Sequence, residues 1–159
     1  MVGSQPVAER LSHLVVRRHA VDQARLAWAV REARAWLGPE VRGAPKGMHR
    51  HQTDLRLRVG DRPALVTFRK AAYVDIGPVE LLNDGWQVEI SWRAATLAPL
   101  FPVFSGSLVV HGEEMTLTGW YAPPGGELGW LADRALLHIA ATGTANWLLG
   151  EFERAARGP

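Results

Sequence analysis

Three polar residues recur one helical turn apart near the C-terminus: His138, Thr142 and Asn146 stand at i, i+4 and i+8. That spacing places them on one side of a helix. Such a line has two uses. It can supply the few polar groups that orient a ligand in an apolar pocket, or it can bond to backbone, to itself or to water at a pocket edge. An imidazole exchanges protons near neutrality, so His138 is the best single acid–base candidate. No carboxylate partner for it can be assigned from spacing, which favours binding over catalysis.

Aromatic residues form the second group. Trp86, Val88, Ile90 and Trp92 alternate with Gln87, Glu89, Ser91 and Arg93 and therefore share one face of a strand. Trp120 and Tyr121 must point to opposite faces. Tyr121 has the parity of Met115 and Leu117, which makes it the inward one. Trp86, Ile90, Trp92, Leu117 and Tyr121, joined by Ala135 from the helix, either line a cavity suited to a flat ligand or simply fill a core. His49 and His51 share a strand face and are a start for zinc, but a site needs further ligands. Nothing in the spacing of His111 or Glu113 supplies them, so the pair reads as a solvated strand end and no metal is expected. Phosphate loops, dinucleotide fingerprints, serine nucleophile elbows and paired-carboxylate signatures are absent, and no cofactor is expected.

These residues must be carried by something. The 159 residues suffice for one domain with a real core. The hydrophobic fraction of 47% and the charged fraction of 21% are ordinary for a globular chain. All but Lys46 and Lys70 of the 18 basic residues are arginine, scattered singly or in pairs, and the net charge is +2. That pattern fits a high-GC bacterial genome and argues against nucleic-acid binding. With no cysteine, disulfides and thiolate chemistry are excluded. No apolar run reaches membrane-span length and no signal-like segment leads the chain, so a cytoplasmic protein is expected.

Residues 1–10 are unpatterned and are expected to be disordered; one domain over residues 11–157 follows. Leu11 to His19 reads as a strand. Asp22 stands where an N-cap would, before a helix or two closely spaced short helices that Gly38–Pro39 stops. Glu40 to Gly47 reads as a loop. From about His51 to Tyr121 the period is two, with Val74 and Ile76 opposing a wet Asp75, a hairpin signal at Asn83-Asp84-Gly85 and a last hairpin around Gly112-Glu113-Glu114. Turns are expected at Gly60 to Pro63 and at Pro123 to Gly126, and the apolar run Leu97 to Phe104 reads as a buried lead-in to a strand. Glu127 to about Arg157 is one helical pattern with Asp133, Thr144 and Glu151 as a narrow polar stripe, opposite His138, Thr142 and Asn146. Its middle is small, Ala140-Ala141-Thr142-Gly143-Thr144-Ala145. Small side chains there either leave a pocket or let the helix approach a strand closely. The order of elements makes an α+β domain in which a long C-terminal helix lies across a curved antiparallel sheet.

Leu100-Phe101-Pro102-Val103-Phe104-Ser105-Gly106, Thr116-Leu117-Thr118-Gly119-Trp120-Tyr121-Ala122-Pro123-Pro124 and Asp133-Arg134-Ala135-Leu136-Leu137-His138 resemble a C-terminal pattern of the START-like (SRPBCC) superfamily, which includes polyketide cyclases and lipid-transfer domains. The likeness is to its uncharacterised bacterial members and runs from about Trp86 to Phe152. Before that, only strand, helix and Trp36-Leu37-Gly38-Pro39-Glu40-Val41 agree. The resemblance implies a helix-grip fold with an internal hydrophobic cavity. It carries over no catalytic residue, since that superfamily shares a fold rather than a chemistry. The expected function is binding or transfer of a hydrophobic small molecule, lipid or polyketide-like, by a monomer or homodimer. A cyclase/aromatase-type enzyme with His138 as proton carrier, and Tyr121 or Asn146 orienting the substrate, is the alternative. A partner-binding domain with no occupied cavity is a third.

Overall fold

The computed structural model describes residues 12–19, 22–58, 67–96, 102–122 and 134–158. The expectations for residues 1–10, for the turns at 60–63 and 123–126, for residues 97–101 of the apolar run and for the start of the long helix at 127–133 fall outside them.

Among the described residues, eight strands and three helices run in the order strand, two helices, seven strands and a long helix. Strand β1 (Ser12–His19) precedes helices α1 (Gln23–Arg31) and α2 (Ala33–Trp36). Asp22 caps α1, its carboxylate accepting from the Arg25 amide at 3.1 Å. Strands β2 (Glu40–Val41), β3 (His49–Arg58), β4 (Thr67–Ile76), β5 (Glu80–Leu82), β6 (Gly85–Ala94), β7 (Val103–His111) and β8 (Glu114–Ala122) follow, and α3 (Arg134–Arg157) ends the chain. The segment from Glu40 is not wholly a loop. Glu40 and Val41 pair with His51 and Arg50, because even a Gly- and Pro-rich segment can add two residues to an open sheet edge.

All pairings are antiparallel and the sheet order is β1-β8-β7-β6-β4-β3-β2, with β5 alongside β6. The curved sheet and its C-terminal helix make an α+β, helix-grip architecture. The inward face carries Leu14, Val16, Leu55, Val74, Trp86, Val88, Ile90, Trp92, Phe104, Leu108, Met115, Leu117 and Tyr121, all buried in one cluster with α1 and α3. Burying surface of this kind contributes about 25 cal/mol per Å² and dominates the stability. The strand alternation decides the faces: Trp86, Val88, Ile90 and Trp92 are all buried, and Tyr121 is 5% exposed while Trp120 is 52% exposed. The Leu97–Phe104 expectation is met where it can be seen, at buried Pro102 and Phe104, while Val103 points outward.

Helix α3 is held chiefly at its flanks. Its backbone packs mainly against β3 and β1, towards the two sides of the sheet, and against α1. Arg18 on β1 clamps it, bonding Glu153 through Nε and Nη2 at 3.2 and 3.0 Å and the Asn146 carbonyl through Nη1 at 2.9 Å.

Candidate functional site

The register of the sheet assembles one lateral row on its inward face. His51 pairs with Val74, Val74 with Trp92, Trp92 with Phe104 and Phe104 with Tyr121. These positions belong to five different strands, so no local spacing connects them; pairing does. Trp92 and Phe104 stack with centroids 4.1 Å apart and planes at 17°. At one end of the row the Tyr121 hydroxyl and His138 Nδ1 are 3.0 Å apart, a hydrogen bond whose direction follows the imidazole tautomer. At the other end the His51 ring meets the Gly38 carbonyl at 3.1 Å.

The long helix presents a different face from the one expected. Leu137, Ala140, Ala141, Thr144, Ala145, Leu148, Leu149 and Phe152 are buried, an arc of roughly half the helix at about 100° per residue. Thr144 is therefore in the core and not on a wet stripe. Its hydroxyl is small enough to be carried inward when larger apolar neighbours set the rotation. Conversely, His138 and Asn146 are exposed and Thr142 is half-buried, so these three mark a flank of the helix rather than the centre of its inward side. The Asn146 amide donates to the Thr142 carbonyl at 3.0 Å, a bond within the helix. Ala135 is also exposed and has a partner. His138 still reaches the core boundary through Tyr121.

The aromatic candidates divide by what their polar atoms do. Trp86 Nε1 donates to the Gln23 carbonyl at 3.0 Å, tying β6 to the start of α1. Trp36 Nε1 donates to Ala29 at 2.8 Å, and its ring meets Phe152 edge-on. Trp92 Nε1, Thr142 Oγ1 and Thr144 Oγ1 are buried without a hydrogen-bond partner among the described residues. Ile90 and Leu117 are fully buried apolar residues. The structure thus brings Trp92, Tyr121 and His138 into one neighbourhood of the fold and adds Phe104, which spacing alone did not single out, while Thr144, placed by spacing on the wet stripe, is buried on the helix. Phe104 was visible as an apolar residue but had no parity partner until the β6–β7 register was known.

On the outer face, Arg50 lies directly opposite Asp75 and donates to it through Nε and Nη2 at 2.7 and 2.9 Å. Both are buried, so Asp75 is not the wet residue its alternation with Val74 and Ile76 indicated. The segment after β2 passes over them: a Cβ on Gly43 would stand 3.1 Å from Arg50 Nη1. The Asp75 carboxylate holds the Arg50 pKa above its ordinary value, outweighing burial. Nearby, His49 Nδ1 lies 2.7 Å from Glu40 Oε1 and lowers the Glu40 pKa. A surface cleft of about 300 Å³ adjoins His49 and His51, and His111 lies apart, next to Asp84 at 3.6 Å. Among the described residues, no group of three His, Cys, Asp or Glu side chains is placed to hold a metal ion. None of the described helices is long and apolar enough to cross a membrane.

No protein-family model and no curated protein matches the sequence. Solved structures do align with most of this chain. The di-domain ARO/CYC protein BexL from the BE-7585A biosynthetic pathway aligns with a TM-score of 0.54 and 12% identity, over 95% of this chain and 52% of its own. DynU16, a putative protein in the dynemicin biosynthetic locus, aligns with a TM-score of 0.44 and 18% identity, over 92% and 47%. A conserved protein from Geobacillus kaustophilus aligns with a TM-score of 0.41 and 10% identity, over 92% and 95%. The chain spans about half the length of the first two. At 12% identity the likeness to BexL is one of fold.

Proposed function

We propose that the chain holds a hydrophobic small molecule, lipid or polyketide-like, between α3 and the middle of the sheet. One juxtaposition carries the reading: the small residues Ala141, Thr144 and Ala145 are buried on the helix, and the aromatic row Trp92, Phe104 and Tyr121 is buried on the sheet. The helix packs mainly against β3 and β1 among the strands, which supports seating a flat apolar ligand between its small residues and the middle strands. The likeness to BexL supports a ligand of the kind handled in such biosynthetic pathways. A titration with 1-anilinonaphthalene should change tryptophan fluorescence saturably, and Trp92→Ala should alter the response in a protein that stays folded. An unchanged signal with this dye and with a panel of fatty acids and fused-ring aromatics would overturn the reading.

A second reading, an ARO/CYC-like enzyme, is favoured by the hydrogen bond between Tyr121 and His138. A phenol and an imidazole in contact can pass a proton at the wall of the site. His138→Gln separates the two. A binder loses at most one hydrogen bond, about 0.5–1.5 kcal/mol, whereas a general acid or base loses roughly 10²–10⁴-fold in turnover. The measurement is affinity and product formation between about pH 5 and 8, the range over which an imidazole changes charge.

A further inference from the structure

We infer that His49 and His51 form a two-imidazole site for a late first-row divalent cation, in the surface cleft beside β3 and apart from the interior site proposed above. Spacing alone left this pair as a solvated strand end. The structure differs: His51 is only 4% exposed, and both rings are anchored.

The ring nitrogens decide the chemistry. His49 Nδ1 lies 2.7 Å from Glu40 Oε1, and His51 Nδ1 lies 3.1 Å from the Gly38 carbonyl. A carboxylate and a carbonyl only accept, so in each ring Nδ1 carries the proton. The lone pair of each neutral imidazole is then on Nε2. Neither Nε2 has a partner among the described residues, and that of His51 is open to the cleft rather than sealed. A metal-binding histidine is built in this way, its other nitrogen held by a carboxylate or a backbone carbonyl. An N–H or O–H group satisfies one lone pair, whereas two on one strand face and in one cleft favour a shared cation.

Their placement allows it. Residues i and i+2 of a strand stand about 7 Å apart on the same face. One cation at about 2.0–2.1 Å from each nitrogen needs the ring tips within about 4 Å of each other. His49, with 65% of its side chain exposed, has room to lean. No third His, Cys, Asp or Glu completes the set among the described residues, so water fills the remaining positions, and the cleft of about 300 Å³ has space for it. Arg31 and Arg34 at the rim oppose a cation, and Glu32 and Glu40 offset them. For nitrogen ligands the affinity order puts Cu²⁺ above Zn²⁺.

Equilibrium dialysis of the full chain at about pH 7.5, where imidazoles are mostly neutral, should show one equivalent bound, with Cu²⁺ held more tightly than Zn²⁺. His49→Gln and His51→Gln should each weaken binding by more than roughly tenfold, and Glu40→Gln, which leaves both ligands in place, by roughly tenfold. His111→Ala, at a ring that lies apart, should change nothing. Electron paramagnetic resonance of the copper complex should show two imidazole nitrogens in the native chain and one in either histidine variant. Thermal unfolding without metal confirms that the variants fold, and the exposed His49 keeps the test decisive should His51→Gln fail to. No bound equivalent, or binding that survives in His49→Gln as an adventitious ion on other histidines, overturns the inference. Either result leaves the interior reading untouched.

Discussion

Arg50 and Asp75 survive out of water only as a pair. Their bidentate contact and the Tyr73 ring, 5.1 Å from the guanidinium carbon, replace the solvent that each charge has lost. Because Asp75 raises the Arg50 pKa, the arginine stays charged at any pH the fold withstands. Asp75→Ala leaves that cation buried and alone, and urea denaturation should show a loss of about 3–5 kcal/mol. The double change Arg50→Met, Asp75→Leu should cost far less, since no unpaired charge remains. A single variant as stable as the double would show that water reaches the pair. Glu40 offers a pH-dependent counterpart at the surface. Its bond to His49 lowers its pKa below the ordinary 4.5, so what it adds to stability is present above that value and is lost as pH falls through the lowered one. In an NMR titration, His49→Ala should return the Glu40 midpoint towards 4.5.

Strands and helices differed in how openly they declared their faces. In a strand the period is two, and a slip of one residue would turn every side chain over. Alternation alone therefore placed Trp86 to Trp92 and Tyr121 correctly. Helix α3 is apolar almost all round, and a polar stripe of three residues is too narrow to fix its rotation. Large residues such as Leu148 and Phe152, and the Arg18–Glu153 clamp from a distant strand, do that instead. Arg50 opposite Asp75 was hidden for a related reason, as opposite charges face each other only once a register exists. The β7–β8 ladder makes a prediction of its own. Gly106 pairs with Gly119 in line with inward Ile90 and Leu14. A Cβ on Gly119 would stand 2.4 Å from the Ser105 carbonyl oxygen and 2.7 Å from Phe104 Cζ. Gly119→Ala should destabilise by about 1–3 kcal/mol in thermal denaturation. Adding Phe104→Ala should not rescue it, because the backbone oxygen remains.

For the whole molecule, the sheet and α3 each cover what the other cannot leave in water. The sheet turns Trp92, Phe104, Leu108 and Leu117 towards the helix side, and the helix returns Leu137, Leu148 and Phe152. Ending the chain at Gly126 should therefore give insoluble protein, or protein that binds hydrophobic dyes and unfolds without cooperativity. A soluble truncation with a sharp unfolding transition would contradict the architecture. This much was legible from the order of elements and the strand period. The roles of Thr144 and Phe104 were not, because each depends on which distant segment lies opposite.

Strand β1 pairs along its length with β8, and Arg18 at its end grips Glu153, 135 residues further along the chain. A ribosome adds about 5–20 residues per second, so β1 leaves it on the order of ten seconds before the partners that will hold it. Closing such distant contacts is slow in any case. Until then Leu14 and Val16 have no cover, and the strand is free to pair with any other nascent chain nearby. The first strand in the sheet to be made is among the last to be placed, and a pause in translation between β1 and α3 lengthens the time during which this protein is most exposed to aggregation.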